Sequence, residues 1–279
     1  MYIKCWGSRG SIPVSGTEYQ KFGGDTTCVE VRSKQNHVII LDAGTGIRKL
    51  GNQLLKEGCE EYHIVFTHAH WDHVLGFPFF RAIYQKNCKI YIYRCPFTGQ
   101  FIERTLSKVM SNPNFPVRFI DVPSQIEYID ACPDAFQIGP ITITSIPLNH
   151  PNGGRGYKLI EDGKTFVFLT DNELGFKHPG GLDNRDYEQF IADADLVFHD
   201  AEYTAEEYDL FKSFGHSSYL DTLALASQAK VKQLGLFHLN AERSDIQMDQ
   251  IVSHCQQVIL DKKYTITCVG VAQHMTFQV

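Results

Sequence analysis

Short apolar runs along this chain stop abruptly at polar residues. Four clear examples are residues 63–66, 165–169, 196–198 and 233–237, and a histidine or an aspartate follows each within two residues. Runs of this length, rich in β-branched and aromatic residues, are typical of strands buried in a sheet interior. Because a rigid scaffold supports the loop at the end of such a strand, side chains there are well placed to converge on one point.

Segments between these runs have the spacing of amphipathic helices. Helices are predicted over residues 47–56, 74–85 with an interruption at Pro78, 96–110, 182–192, 219–229 and 244–259. Ser217 or Ser218 and Ser244 are suited to N-cap the last two helices. No internal repeat or low-complexity linker divides the sequence, so we predict one domain over residues 1–279. The order of elements predicts an α/β fold, a four-layer αββα sandwich of two mixed sheets with helices outside.

Composition and net charge limit the classes of partner that we expect this protein to bind. Apolar residues make up 43% of the 279 residues, enough for a large core, and the net charge is −6 with no long basic run. A long nucleic acid is usually met by a basic face, so it is not an expected partner. No stretch approaches the roughly 20 apolar residues that span a bilayer, and no signal core is present, which predicts a cytoplasmic protein without a membrane partner. Eight scattered cysteines without a Cys-x-x-Cys pair indicate reduced thiols, with a disulfide framework as the alternative.

The densest chemistry follows the first of the four runs. His68, His70, Asp72 and His73 lie within six residues, although the whole chain has only 12 histidines. A chance cluster of solvated histidines would not be led in by a buried strand, so a metal site is favoured. Alternate residues of an extended segment point the same way, which groups His68, His70 and Asp72 and sends His73 elsewhere. Two ligand groups from one loop indicate two metal ions, and imidazole with carboxylate suits Zn, Mn or Fe.

The His-x-His-x-Asp-His pattern resembles that of the metallo-β-lactamase superfamily, and the resemblance runs over nearly the whole chain. It implies two divalent ions, zinc expected and manganese or iron as alternatives, with a bridging hydroxide as nucleophile. It also implies that Asp42 orients the ligand loop, although an ordinary strand-end turn explains Asp42 equally well. The implied ligands are His68, His70 and His150 for the first ion, Asp72, His73 and His238 for the second, and Asp171 for both.

Sequence differences among branches of the superfamily indicate which reaction this chain is expected to catalyse. Position 70 is His, where di-iron oxygen-reducing relatives carry Glu, and Asp171 stands where β-lactam hydrolases carry Cys. Residues 199–203 and 215–218 resemble two motifs of the phosphodiesterase branch, which includes tRNA 3′-processing enzymes. There an acidic residue pairs with a histidine near the leaving group. Here that pair is Asp200 with His216, and Asp200 is one methylene shorter than the Glu of the tRNA enzymes.

The expected function is therefore a metal-dependent phosphodiesterase acting on a small diester such as a cyclic nucleotide. His216, held protonated by Asp200, would donate a proton to the leaving alkoxide, and Arg155 and Asn149 would contact the phosphate. Residues 111–116 are either a lid or a plain connector. Alternatives are a hydrolase of esters, lactones or thioesters, a non-catalytic metal-binding module, and processing of tRNA ends, against which stands the lack of a tRNA-gripping arm. The oligomeric state is open, a homodimer included.

Overall fold

A computed structural model describes residues 1–94, 99–130 and 135–279, whose strands form two sheets of seven strands each. The first sheet has the order β14 (Thr276–Gln278), β1 (Tyr2–Gly7), β2 (Cys28–Arg32), β3 (Val38–Leu41), β4 (Glu61–Val65), β5 (Lys89–Arg94) and β6 (Gln125–Asp130). The second has the order β13 (Thr267–Gly270), β12 (Gln233–Phe237), β11 (Leu196–Asp200), β10 (Lys164–Leu169), β9 (Arg155–Glu161), β8 (Ile141–Pro147) and β7 (Ala135–Ile138).

Both sheets combine an antiparallel half with a parallel half. In the first, β14, β1, β2 and β3 pair antiparallel, whereas β3 to β6 pair parallel. In the second, β7 to β10 pair antiparallel and β10 to β13 pair parallel. Parallel neighbours end at the same edge of a sheet, so the loops that leave their carboxyl ends are brought together.

Alternating side chains separate the layers. Along β10, Phe166 and Phe168 belong to the core between the two sheets, whereas Val167 and Leu169 belong to a second core under the outer helices. The first sheet has its own outer core, in which Ile40 and Ile64 lie with residues of the helices. Successive residues of a strand point to opposite faces, so each continuous apolar run supplies two cores at once. The predicted four-layer sandwich is confirmed.

The outer layers contain seven helices in the described ranges, together with short 3₁₀ turns. The helices are α1 (Ile47–Lys56), α2 (Trp71–Val74), α3 (Gly99–Val109), α4 (Asn184–Ile191), α5 (Ala205–Phe211), α6 (Tyr219–Gln228) and α7 (Asp245–Lys262). Ser218 and Ser244 cap α6 and α7, and each side chain accepts a hydrogen bond from a backbone N–H of the first turn, as predicted.

The observed elements depart from the prediction at three places. The helix predicted over residues 74–85 is wrong, because α2 ends at Val74 and only 3₁₀ turns follow, at Phe77–Phe79 and Arg81–Tyr84. The strand β6 and the helix α5 were not predicted. Residues 96–98 of the helix predicted over 96–110 lie outside the described residues, as do Cys95 and Cys132. The six described cysteines are all free, and no helix of the described ranges has the length and apolar character to cross a bilayer.

Candidate metal centre

The loop after β4 carries four of the predicted ligands. His70 lies in extended backbone directly before α2, which begins at Trp71, so that Asp72 and His73 lie in a helical turn. Successive side chains of a helix diverge by roughly 100°. The expectation that alternation groups Asp72 with His68 and His70 is therefore wrong, because the extended backbone ends before Asp72. Asp72 lies instead beside His73.

Three further predicted ligands come from the second sheet. His150 follows β8, Asp171 follows β10, and His238 follows β12 directly. These loops leave the sheet at the edge that faces the loop of His68 to His73, since all seven side chains meet there. Every one of them except His70 is buried.

The seven side chains fall into two groups that share one carboxylate. Within each group the candidate ligand atoms all lie within 4.8 Å of one another, and the groups are His68, His70, His150 and Asp171, and Asp72, His73, Asp171 and His238. In the first, Asp171 Oδ2 lies 3.6 Å from His68 Nε2 and 3.8 Å from His150 Nε2. In the second, His238 Nε2 lies 3.1 Å from Asp72 Oδ2 and 3.2 Å from Asp171 Oδ2.

The donor atoms of both groups suit divalent cations. Nε2 of His68 and of His73 are buried without a hydrogen bond to any described residue, although His73 Nε2 lies 3.1 Å from Asp72 Oδ2 and 3.2 Å from Asp171 Oδ1. Buried polar atoms without a partner are rare and costly. Burial also lowers the pKa of His150 to about 3, which keeps this imidazole in the neutral form that binds metals. Nitrogen and carboxylate oxygen converging in this way fit two cations of the zinc, manganese or iron type.

The second ring nitrogen of several histidines is held by an outer residue. His73 Nδ1 lies 2.8 Å from Asp42 Oδ2, and His238 Nδ1 lies 3.0 Å from Glu202 Oε2. His150 Nδ1 donates to the carbonyl oxygen of Gly215 at 2.9 Å. Such contacts fix the tautomer and the orientation of a metal-binding imidazole. Asp42 thus contacts a predicted ligand directly, which favours the orienting role over an ordinary turn.

The loop after β1 covers the second group. Gly10 lies so close to His238 that an added methyl group would stand 2.3 Å from its Nδ1. The backbone N–H of Ser11 donates to Asp72 Oδ2 at 3.0 Å. The buried guanidinium of Arg9 anchors this loop by donating to the carbonyl oxygens of Gly23, Asn240 and Arg243. The sequence indicated only a loop here, since the contacts that tie it to the centre are with residues distant in sequence.

Comparison with known proteins identifies the family. A model described as a beta-lactamase superfamily domain matches residues 37–239. The chain belongs to the metallo-β-lactamase superfamily. Ribonuclease Z of Staphylococcus epidermidis is 21% identical to it, over 94% of this chain and 95% of the relative. The metal-dependent hydrolase predicted from the sequence is confirmed at this level of class.

Solved structures of the superfamily share the fold. The metallo-β-lactamase fold protein YhfI from Bacillus subtilis superposes with a TM-score of 0.73 at 16% identity, over 99% of this chain and 98% of that one. A diphosphatase from the PhnP family superposes with a TM-score of 0.70 at 18% identity, over 100% of this chain and 97% of that one. At such identities these similarities establish the fold alone.

The predicted Asp200–His216 pair lies beside the second group of candidate ligands. His216 Nδ1 lies 2.7 Å from Asp200 Oδ2, so the shorter aspartate reaches the imidazole. The His216 ring stacks on His238 with centroids 4.6 Å apart. Burial by itself would lower the pKa of His216, but the carboxylates of Glu202 and Asp200 outweigh it and raise that pKa to about 9.

Glu202 is a site residue that the sequence did not reveal. Its Oε2 atom lies between the Nδ1 atoms of His238 and His216, at 3.0 Å and 3.5 Å. Asp200, His216 and His238 also lie close enough together to suggest a third ion. His238 faces Asp200 through Nδ1, which lies 3.8 Å from Asp200 Oδ2 and is the nitrogen that also faces Glu202, whereas its Nε2 faces Asp72 and Asp171. We therefore interpret Asp200 and His216 as residues that surround the second group and hydrogen-bond around it, and not as ligands of a third ion.

Glu173 is a second residue that the sequence did not reveal. Its carboxylate is fully buried and accepts four hydrogen bonds at 2.7–2.8 Å. The donors are His178 Nε2, Tyr208 Oη and the backbone N–H groups of Ser213 and Gly215. Glu173 thereby holds the loop that presents the Gly215 carbonyl to His150 and leads into His216. The only sequence signal was its position two residues after Asp171.

The two predicted phosphate contacts differ. Asn149 is 2% exposed, and its side chain donates to the carbonyl oxygens of Glu173 and Phe176 and accepts from the N–H of His178. Its amide is thus committed to the fold, and the expected phosphate contact is not supported. Arg155 is half-buried at the start of β9 and borders a cavity of about 370 Å³ beside the loop that follows His150. A phosphate contact of Arg155 remains a prediction.

Proposed function

We propose that this protein is a dinuclear-metal phosphodiesterase that hydrolyses a small phosphodiester such as a cyclic nucleotide. The observation that carries the proposal is the Asp200–His216 pair, 2.7 Å apart, stacked on a histidine of the candidate metal centre. A diester with an alkoxide leaving group needs a proton at that oxygen as the bond breaks, and a positioned imidazolium is the usual donor.

The ligand assignment follows the two groups of donor atoms. His68, His70 and His150 would hold one ion, Asp72, His73 and His238 the other, and Asp171 would contribute to both. When bound, such a pair lowers the pKa of water and offsets negative charge on phosphate oxygens. Zinc is the expected ion, with manganese or iron as alternatives, because histidine and aspartate together accept all three.

The roles of the surrounding residues follow from their contacts. Asp200 accepts from His216 Nδ1 and from the backbone N–H of Ser217, which fixes the ring and favours its protonated form. The proton on the remaining ring nitrogen passes to the leaving oxygen, and the imidazole is neutral afterwards. Glu202 supports both His216 and His238 and so links proton donor and metal ligand. Asp42 keeps His73 in place through its Nδ1.

A small diester is favoured over a long RNA by charge. The protein carries a net charge of −6, which opposes accumulation of a polyanion near its surface. The ribonuclease Z relatives keep RNA open as the second candidate. Binding of a tRNA-sized RNA that falls steeply with salt would favour RNA, whereas weak and salt-insensitive binding would favour the small diester.

The decisive experiment replaces His216 by alanine and compares two leaving groups. On a cyclic nucleotide, whose leaving group is an alkoxide, we expect kcat to fall by about 10²–10⁴-fold. On bis-p-nitrophenyl phosphate the loss should be far smaller, because nitrophenolate departs without a proton. Metal analysis of the variant must show unchanged metal content, since His216 adjoins His238. His37→Ala, a half-buried histidine outside the centre, is the matched control.

The opposite results are equally clear. Equal losses on both substrates with full metal content would contradict proton donation by His216. Rapid hydrolysis of lactones or thioesters by the wild-type protein, with no diester hydrolysed, would replace the proposal by the ester-hydrolase alternative. Metal bound without turnover of any diester or ester would favour a non-catalytic module.

A further inference from the structure

An exposed tryptophan stands in the middle of the ligand loop. Trp71 lies between the predicted ligands His70 and Asp72, and 74% of its surface is exposed. Phe79, which follows α2, is 52% exposed. Two large aromatic side chains left in water within nine residues form an apolar patch of the kind that marks a binding surface.

This patch borders a cavity that the proposed chemistry does not use. The cavity has a volume of about 310 Å³ and lies between α2 with its following turn and residues 109–115. Trp71, Leu75 and Phe79 line one side, and Phe115 lines the other, with its ring edge-on to Phe79 at 5.7 Å between centroids. Among the described residues that line it, none is charged and Asn114 is the only one with a polar amide.

The residues that line this cavity indicate which kind of chemical group it can bind. A cavity without charge is a poor site for a phosphate but suits a flat, uncharged ring, and this volume is at the small end of ligand pockets. Bases stack on exposed aromatic side chains because every base has a π-face. Trp71 is flanked in the sequence by His70 and Asp72, and the metal ions they would help to hold would bind the phosphate. A ring joined to that phosphate through a sugar is therefore the moiety we expect in this cavity.

We propose that the cavity binds the nucleobase of the diester substrate, with Trp71 as the stacking surface and Phe115 as the opposite wall. This inference rests on the proposed function and adds to it a substrate class, nucleoside phosphodiesters rather than alkyl ones. It also gives residues 111–116 a role as one wall of a binding site, in place of the lid or connector predicted from sequence.

Binding can be measured without turnover. The chain has two tryptophans, of which Trp6 is 5% exposed, so ligand-induced changes in tryptophan fluorescence report on Trp71. Adenosine added to the protein as purified should quench this fluorescence saturably, whereas ribose should not. Phe115→Ala keeps the fluorophore but removes the opposite wall, so the adenosine concentration for half-quenching should rise about tenfold. Leu260→Ala, an exposed apolar residue on α7, is the control and should match wild type.

Selectivity is measured with two diesters that share a leaving group, thymidine 5′-p-nitrophenyl phosphate and methyl p-nitrophenyl phosphate. Trp71→Ala should lower the ratio of kcat/KM for the nucleoside ester to that for the methyl ester about tenfold, and Trp71→Phe should retain most of the ratio. If Trp71→Ala leaves this ratio unchanged and adenosine does not quench the fluorescence, the inference of a base site is overturned. The proposed function would still stand in that case, provided that the protein hydrolyses the diesters. Quenching by adenosine in a protein that hydrolyses no diester would uphold the base site and reject the phosphodiesterase.

Discussion

At the scale of single residues, three side chains of the centre stand at strand ends in left-handed backbone. Asp42 has φ 60°, Asp171 has φ 54° and His238 has φ 55°. This conformation is uncommon for residues other than glycine, and aspartate and histidine are among those that tolerate it best. The chain thus turns sharply where β3, β10 and β12 end, and each of these three side chains is directed toward the candidate metal centre. Backbone strain of this kind concentrates at functional sites.

Asp42→Asn tests whether the outer carboxylate matters for metal binding. Asparagine has nearly the same size as aspartate and also tolerates the left-handed backbone. Its side-chain carbonyl can still accept the hydrogen bond from the N–H of Thr67, which lies 2.7 Å from Asp42 Oδ1 in the wild type. It loses the charge beside His73 Nδ1. We expect one of the two ions to bind about 10–100-fold more weakly, measured by competition with a chromophoric chelator.

The control for this variant is Asp162→Asn. Asp162 has the same backbone region, φ 51°, and is exposed in the hairpin between β9 and β10. Its replacement should leave both metal affinities unchanged. If Asp42→Asn also binds both ions like wild type, Asp42 serves only the turn and its contact with His73 has no part in metal binding.

At this scale, the informative features of the sequence were the resemblance to the superfamily and position along a strand. The resemblance implied His150, Asp171 and His238 as ligands, each of them follows an alternating or apolar run, and the structure brings them together with the loop after β4. Glu202 was missed, since its contact with His238 depends on the path of the loop after β11. That path is set by long-range packing, which leaves no local pattern.

At the scale of elements, the segment between α5 and α6 is held by one buried carboxylate. Glu173 accepts from the N–H groups of Ser213 and Gly215 and from two side chains. Gly215 has φ 98°, and a methyl group added there would lie 2.1 Å from His150 Nδ1. The segment therefore approaches the centre as closely as backbone allows, and Glu173 keeps it there.

Glu173→Gln should weaken both the fold and the centre. An amide offers one acceptor oxygen in place of two, so buried donors lose their partner at a cost of about 2–4 kcal/mol in the free energy of unfolding. Urea denaturation of chelator-treated protein measures this loss. Because the Gly215 carbonyl orients His150, metal affinity should fall as well, measured by titration of the folded variant. Exposed Glu242→Gln is the control, and equal unfolding curves for the two variants would contradict the network.

Elements with uninterrupted patterns were the predictable ones. Helix α1 and the caps of α6 and α7 match the sequence, whereas the helix predicted over residues 74–85 is broken up. The physical reason lies at Gly76, where a side chain would meet the Gly44 carbonyl oxygen at 2.0 Å. This close approach, with Pro78 after it, imposes turns where the apolar spacing alone favoured a helix. The short α5 begins at a local capping box of Thr204 and Glu207, a signal that is separate from apolar periodicity.

At the scale of the whole molecule, the candidate centre joins the two sheets. The loop after β4 belongs to the first sheet, whereas His150, Asp171 and His238 belong to the second. One apolar core lies between them, with Ile39 and Leu41 from one side and Phe166 and Phe168 from the other. We propose on this basis that residues 1–279 form one domain, in which metal binding and folding are coupled.

This coupling predicts how stability responds to metal. A ligand at about 1,000 times its dissociation constant adds about 4 kcal/mol to the free energy of unfolding, which for a chain of this size raises Tm on the order of ten degrees. Calorimetry should show one transition that rises with zinc and falls with a chelator. Asp171→Asn should lose most of the rise, because Asp171 belongs to both ligand groups. Exposed Asp193→Asn, with φ 56° in the same backbone region, should keep it. Ions bound by residues of both sheets must be released before the sheets can separate, so a Tm that does not change with zinc would contradict the metal centre. Two separate transitions would contradict the single domain.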